Sequence, residues 1–144
     1  MRAILCMAVV ALIFAAGCGT SDLSAQSPEI KQGNSVTVYY FYGTFRCKNC
    51  YNMEQWTKEL VETAFKGEVD AGKLSFKMFN TDEKDNKHFI KEYGLYTKSV
   101  VLSLVKDGKE ARYSNLAKVW SFLDSKEKFQ EYVKGEIENY LKEL

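Results

Sequence analysis

A chain of 144 residues with 46% hydrophobic and 27% charged side chains is long enough for one domain with a sizeable buried core. Its formal net charge is +1, with 20 basic residues interspersed among 19 acidic ones. That balance leaves no extended basic face for a nucleic acid, so no nucleic-acid partner is expected.

Met1-Arg2 is a short positive start, and Ala3 to Ala16 is an apolar run too short to remain as a membrane span. It ends in Ala15-Ala16-Gly17-Cys18. This resembles the lipobox of bacterial lipoproteins, where small residues precede a cysteine that receives lipid and becomes the new N-terminus. Ala15 stands where that family usually has Leu. The resemblance implies a lipoprotein signal peptide over residues 1–17 and lipid on Cys18. It also implies a domain anchored to the membrane in the bacterial cell envelope, on the periplasmic or outer side. Cys6 then leaves with the signal and Cys18 carries lipid, so Cys47 and Cys50 remain as one pair of thiols. An exported compartment is one where a disulfide between them persists. Residues 19–34 are small and polar and contain the only proline, Pro28. With Cys18 they form a flexible tether over 18–34, and the domain occupies 35–144.

Within the domain, the apolar run Val36 to Tyr42 predicts a strand buried on both faces. Helix periodicity follows from about Cys47 to Phe65, with Met53, Trp56, Leu60 and Ala64 on one stripe and Gly67 just past the end. Leu74 to Asn80 alternates as a second strand. A second helix is expected from Asp85 or Asn86, carrying Phe89, Ile90 and Tyr93 inward before Gly94. Val100 to Val105 is a third strand, and Asp107-Gly108 turns it tightly into a fourth over Lys109 to Ser114. Leu116 to Leu123 is apolar without a decisive period. Asp124 or Ser125 caps a last helix whose stripe is Phe129, Val133, Ile137, Tyr140 and Leu144. Right-handed crossovers place the first three strands parallel, with the hairpin strand antiparallel at an edge. The expected fold class is α/β, a four-stranded mixed sheet with helices on both faces.

The Cys47-Lys48-Asn49-Cys50 run falls where the first strand hands over to the first helix. Unpaired N–H groups and the positive end of the helix dipole favour a thiolate there. Arg46 and Lys48 flank Cys47 with positive charge, and Arg46 is expected to be solvent-exposed. Cys50 is one turn further in, against the apolar stripe, where burial disfavours its thiolate.

This strand-to-Cys-x-x-Cys corner, with Tyr93-Gly94 and Lys106-Asp107-Gly108-Lys109, resembles the thioredoxin superfamily over residues 36–144. The run Tyr39-Tyr40-Phe41, Gly43-Thr44, Arg46-Cys47 and Cys50 is similar, more narrowly, to small thioredoxin-like proteins known as nitrophenyl-compound nitroreductase subunit, ArsF type. The superfamily resemblance implies that Cys47 is the exposed nucleophile and Cys50 the resolving thiol. Two features of the superfamily are missing. Its cis-proline slot falls near Ser99, where a non-proline cis bond costs about 2.5–4 kcal/mol and a trans loop is expected instead. Its buried aspartate slot matches Phe41, and no carboxylate lies between Val36 and Arg46.

The reading is a membrane-tethered thiol–disulfide oxidoreductase with Cys47 and Cys50 as catalytic residues and Arg46, Lys48 and Ser99 in support. It needs no cofactor and no metal. Its partners are a protein thiol or disulfide substrate or electron donor, and the membrane through lipid on Cys18; the domain is expected to be a monomer. Two other readings use the same residues. One is a redox-inert accessory module with a structural disulfide. The other is a dithiol that captures copper(I) or an arsenic(III) species. His88 lies on the predicted second helix with no reason to join the pair, and Trp56 and Trp120 read as packing residues.

Overall fold

The computed structural model describes residues 33–144, so the expected signal peptide, Cys18 and nearly all of the tether lie outside the described residues. Strand β1, Ser35–Tyr42, is one of the two inner strands of the sheet. Strands β2 (Leu74–Asn80), β3 (Ser99–Lys106) and β4 (Lys109–Asn115) complete the order β2-β1-β3-β4. The β1 sequence is apolar on both faces because both faces are covered. Val36, Val38 and Tyr40 join Val100, Leu102 and Leu104 on one face. There they pack against α1 (Lys48–Ala64) through Met53, Leu60 and Val61, and against α4 (Lys126–Leu141) through Phe129, Val133, Ile137 and Tyr140. The alternate residues Tyr39, Phe41 and Val101 face the other way, under Phe89, Tyr93 and Leu95 of the short helix α3 (His88–Glu92) and its exit. A second short helix, α2 (Lys66–Asp70), follows α1 across Phe65. This four-stranded mixed sheet with helices on both faces is the α/β arrangement expected from the sequence.

One topological expectation is corrected. Strands β1 and β2 are parallel, but β3 runs antiparallel to β1, with Phe41 opposite Ser99 and Ser35 opposite Val105. The helix in the connection is short. Strand β2 has seven residues and spans about 23 Å, whereas the five residues of α3 advance only about 7.5 Å. The helix α3 by itself does not carry the chain back along the sheet. The connection crosses the end of β1 and enters β3 beside Phe41, the residue that also pairs with Phe79 near the end of β2.

The short α3 changes its neighbours' burial. The expected start near Asp85 is a 3-10 turn over Lys84–Asn86, and the α-helix proper has only five residues. Phe89 and Tyr93, four apart, share its inner face. Ile90, expected inward, lies a step around the helix and is 41% exposed. Gly94 ends this segment in the left-handed region at φ +58. Leu116 to Leu123, ambiguous in sequence, is a 3-10 helix over Ala117–Phe122 with Val119 buried. Asp107 and Gly108, at φ 51 and 74, form the two-residue turn between β3 and β4. Ser125 caps α4, its Oγ accepting the Lys128 N–H at 3.3 Å. No helix among the described residues is long and apolar enough to cross a membrane.

Phe129 is fully buried and meets the half-buried Trp56 edge-on at 5.5 Å, so it joins α4 to α1. Phe129→Ala is expected to cost about 3–5 kcal/mol of stability. The measure is the urea midpoint, which should fall with no change in slope.

Candidate functional site

The loop between β1 and α1 is held from the side by residues that follow β2. Thr81 donates to the Tyr42 carbonyl through its N–H at 2.8 Å and through its hydroxyl at 3.1 Å. Asp82 Oδ2 accepts the Thr44 N–H at 2.7 Å, and Asn80 Nδ2 donates to the Thr44 hydroxyl at 3.3 Å. The Thr44 N–H, and then its hydroxyl, hold the Asp82 carboxyl below the usual carboxylate range. Gly43 allows this approach, since a Cβ there would stand 3.1 Å from Asp82 Oδ2.

The anchored loop delivers Cys47 to the N-cap of α1 in extended conformation, φ −95 and ψ 170. The two cysteines then cap the helix reciprocally. Cys47 Sγ accepts the Cys50 N–H at 3.3 Å, and Cys50 Sγ accepts the Cys47 N–H at 3.1 Å. It is a capping box with sulfur in place of oxygen. Both are free thiols, Cys47 exposed and Cys50 buried. Their acidities are driven apart. The Cys47 thiol is lowered, first by the hydrogen bond from the Cys50 side chain and next by the Cys50 backbone N–H. The Cys50 thiol is raised, first by burial and next by its hydrogen bond to Cys47. A thiolate at Cys47 receiving a hydrogen bond from a neutral thiol at Cys50 accounts for both directions.

Of the flanking cations, Lys48 is exposed at the first position of α1. Arg46 is not in solvent as expected. Its side chain is 14% exposed and pairs with Glu54. Its guanidinium lies 4.5 Å from the Tyr42 ring centroid and 4.4 Å from that of Tyr51. A flexible arginine turns inward here because β1 and α1 together present aromatic faces and a carboxylate, which a linear sequence does not display. Glu54 balances its charge, and it is not among the main influences on either thiol.

Ser99 is buried at the start of β3, and its hydroxyl donates to the Thr97 carbonyl at 3.0 Å. The described residues contain no cis peptide bond. The cation that sequence reasoning missed is Lys98, which lies close enough to lower both Cys50 and Asp82, though less than their leading influences move them. It lines a cavity of about 220 Å³ with Phe41, Asp82, Ile90 and the exposed rings of Phe45 and Tyr96.

The residue under Cys50 also differs from expectation. Phe41 lies on the far face, between the rings of Phe89 at 5.2 Å and Tyr93 at 5.4 Å. Its neighbour Tyr40 faces α1 and donates its hydroxyl to the Cys50 carbonyl at 2.7 Å. Matching positions by distance from Cys47 assumes a loop of fixed length, and a shift of one residue moves a strand residue to the other face. The alternation of Val36, Val38 and Tyr40 carried the signal. Burial, the largest influence, pushes the Tyr40 phenol up to about 12, so it donates a hydrogen bond and does not accept a proton.

His88 Nδ1 is 2.8 Å from the Asp85 carbonyl, and its ring lies against Phe89. Among the described residues no group of three or more His, Cys, Asp or Glu gathers where it could hold a metal ion.

No family model and no curated protein matches this sequence. Among solved structures the chain is similar to thioredoxins. Fasciola hepatica thioredoxin shares 19% identity, over 69% of this chain and 79% of that one, with a TM-score of 0.41. Mitochondrial thioredoxin 3 of Saccharomyces cerevisiae, in its oxidized form, shares 23% over 58% and 68%, with a TM-score of 0.39. Reduced desulfothioredoxin from Desulfovibrio vulgaris Hildenborough shares 20% over 56% and 67%, with a TM-score of 0.37. The chain itself is an α/β domain with a four-stranded mixed sheet, carrying a Cys-x-x-Cys at the start of α1.

The split acidity has a direct readout. In Cys50→Ser, iodoacetamide should alkylate Cys47 readily, with a pH midpoint below that of an ordinary thiol. In Cys47→Ser, Cys50 should react slowly, with a midpoint above it. Equal rates in the two variants would show that the asymmetry is absent.

Proposed function

We propose that this protein is a thiol–disulfide oxidoreductase that acts through Cys47 and Cys50 on protein partners and is held at the membrane by lipid on Cys18. The observation that carries the reading is the reciprocal cysteine cap. It leaves one thiol exposed with a lowered pKa and buries its partner one turn away with the opposite shift.

In the reducing direction, the Cys47 thiolate attacks one sulfur of a partner disulfide. A Cys47–partner bond forms, and the other partner sulfur leaves as a thiolate that takes a proton from water. Cys47 is then neutral. Its charge and its acceptance of the Cys50 hydrogen bond both raised the Cys50 thiol, so their loss makes Cys50 easier to deprotonate. The Cys50 thiolate attacks Cys47 Sγ, the intramolecular disulfide closes, and the second partner sulfur leaves. Two electrons have passed to the partner, and the oxidising direction is the same sequence reversed. A disulfide across so short a loop constrains little unfolded chain, which favours exchange over a structural staple.

The narrower likeness to ArsF-type nitroreductase subunits belongs to this proposal, with the dithiol as the chemistry these residues supply. So does the placement in the bacterial cell envelope, which rests on Ala15-Ala16-Gly17-Cys18.

Two measurements test the reading. The Cys47–Cys50 couple should have a reduction potential well above about −300 mV, the region below which structural disulfides lie. A value under that limit would make the bond a staple and defeat the proposal. Independently, Cys18→Ser should yield a folded domain that takes up no labelled palmitate and leaves the membrane fraction; lipid on that variant would refute the anchor.

A further inference from the structure

The oxidoreductase reading leaves Arg46 and Tyr40 without a task, yet both are built into the site. Tyr40 is fully buried at the sheet centre, and its hydroxyl reaches the Cys50 carbonyl at 2.7 Å. The Arg46 guanidinium lies 5.8 Å from the Tyr40 ring centroid and works against burial in setting the Tyr40 phenol. The same guanidinium stacks on Tyr42 from β1 and on Tyr51 from α1, and pairs with Glu54 one turn further along the helix. One side chain therefore fastens the first two turns of α1 to the strand beneath them.

We infer that Arg46 and Tyr40 are positioning residues for the resolving thiol. Arg46 holds the Tyr40 ring and hydroxyl, Tyr40 clamps the Cys50 carbonyl, and the pair governs closure of the Cys47–Cys50 bond. The inference rests on the oxidoreductase reading and assigns the second half of that reaction.

The physical reason lies in what each half demands. The first step needs an exposed thiolate at Cys47, and the Cys50 N–H that donates to its sulfur at 3.3 Å tolerates small displacements. Closure demands more. Cys50 Sγ must come to about 2.05 Å from Cys47 Sγ with the dihedral a disulfide requires, and misplacement by about 1 Å can cost two orders of magnitude in rate. Cys50 sits in the first turn of a helix, where fraying begins. Its carbonyl is tied by Tyr40 to an inner strand, which holds the turn that carries the resolving sulfur against the sheet. Arg46 acts here by shape and not by charge, since Glu54 balances it and neither thiol takes a main shift from it.

The test is reaction of the reduced protein with one equivalent of dithiobis(nitrobenzoate). Attack by Cys47 releases one coloured thionitrobenzoate, and closure by Cys50 releases the second, so the two steps appear as separate phases. Wild type should show both. Tyr40→Phe keeps the ring and removes the hydroxyl; Arg46→Lys keeps the charge and removes the planar stack. Each should leave the first phase unchanged and slow the second about tenfold, the worth of one buried hydrogen bond. The pH midpoint of the second phase should stay where it is in wild type. The double variant should be no slower than the slower single one, because the two residues act in series. A second phase at the wild-type rate, a shifted midpoint, or equal slowing of both phases would each overturn the inference while the oxidoreductase reading stands. Absence of the second phase in wild type would refute that reading itself, and this inference with it. If circular dichroism shows Tyr40→Phe unfolded, Arg46→Lys decides alone.

Discussion

A helix that begins at a functional corner leaves its first N–H groups without partners inside the helix, and here the two cysteines supply what is missing. Each sulfur accepts the other residue's backbone N–H, so the cap of α1 and the dithiol are one structure. This has a chemical consequence. The groups that stabilise the helix start also stabilise negative charge on the exposed sulfur, while the second sulfur, buried at the third helical position, is held neutral. Folding and reactivity are coupled through the same few atoms.

The sheet serves that corner by treating its two faces differently. On the α1 and α4 face, a continuous apolar core from Val36 to Tyr140 holds the long helix in place. On the other face, α3 covers a compact aromatic cluster of Tyr39, Phe41, Phe79, Phe89 and Tyr93 with ring separations between 4.9 and 6.5 Å. After the short α3, β3 enters antiparallel to β1. That direction places the Thr97-Lys98-Ser99 segment beside the end of β1, where Lys98 approaches both Cys50 and Asp82. A parallel β3 would begin at the opposite end of the sheet, far from the cysteines.

Around the cap, loops anchor one another. The Gly43-Thr44 turn is held by Asn80, Thr81 and Asp82 across the β2 exit. Ser99 anchors its own loop through the Thr97 carbonyl. Beneath Cys50 stands a phenol in place of a carboxylate, which can steady the turn but is too weak an acid to accept a proton and release it near neutral pH. In the proposed exchange, the proton leaving Cys50 therefore passes to water or to the departing sulfur.

The sequence by itself determined everything that local physics decides. The double-sided apolar run of β1, the strand-to-helix change of period at Cys47, the Asp107-Gly108 turn and the Ser125 cap depend on neighbours within a few residues. Each is found where the pattern put it. The identity of the Cys47 and Cys50 pair and its position at a helix start are legible for the same reason. Tertiary structure alone decided the direction of β3, the exposure of Ile90, the inward turn of Arg46 and the choice of Tyr40 over Phe41 beneath Cys50. Strand direction depends on how far a short connection reaches, and the face of a strand residue changes with a single residue of loop length. The path of a long arginine depends on which rings and carboxylates two separate elements bring together, and those partners come into being only when β1 and α1 pack.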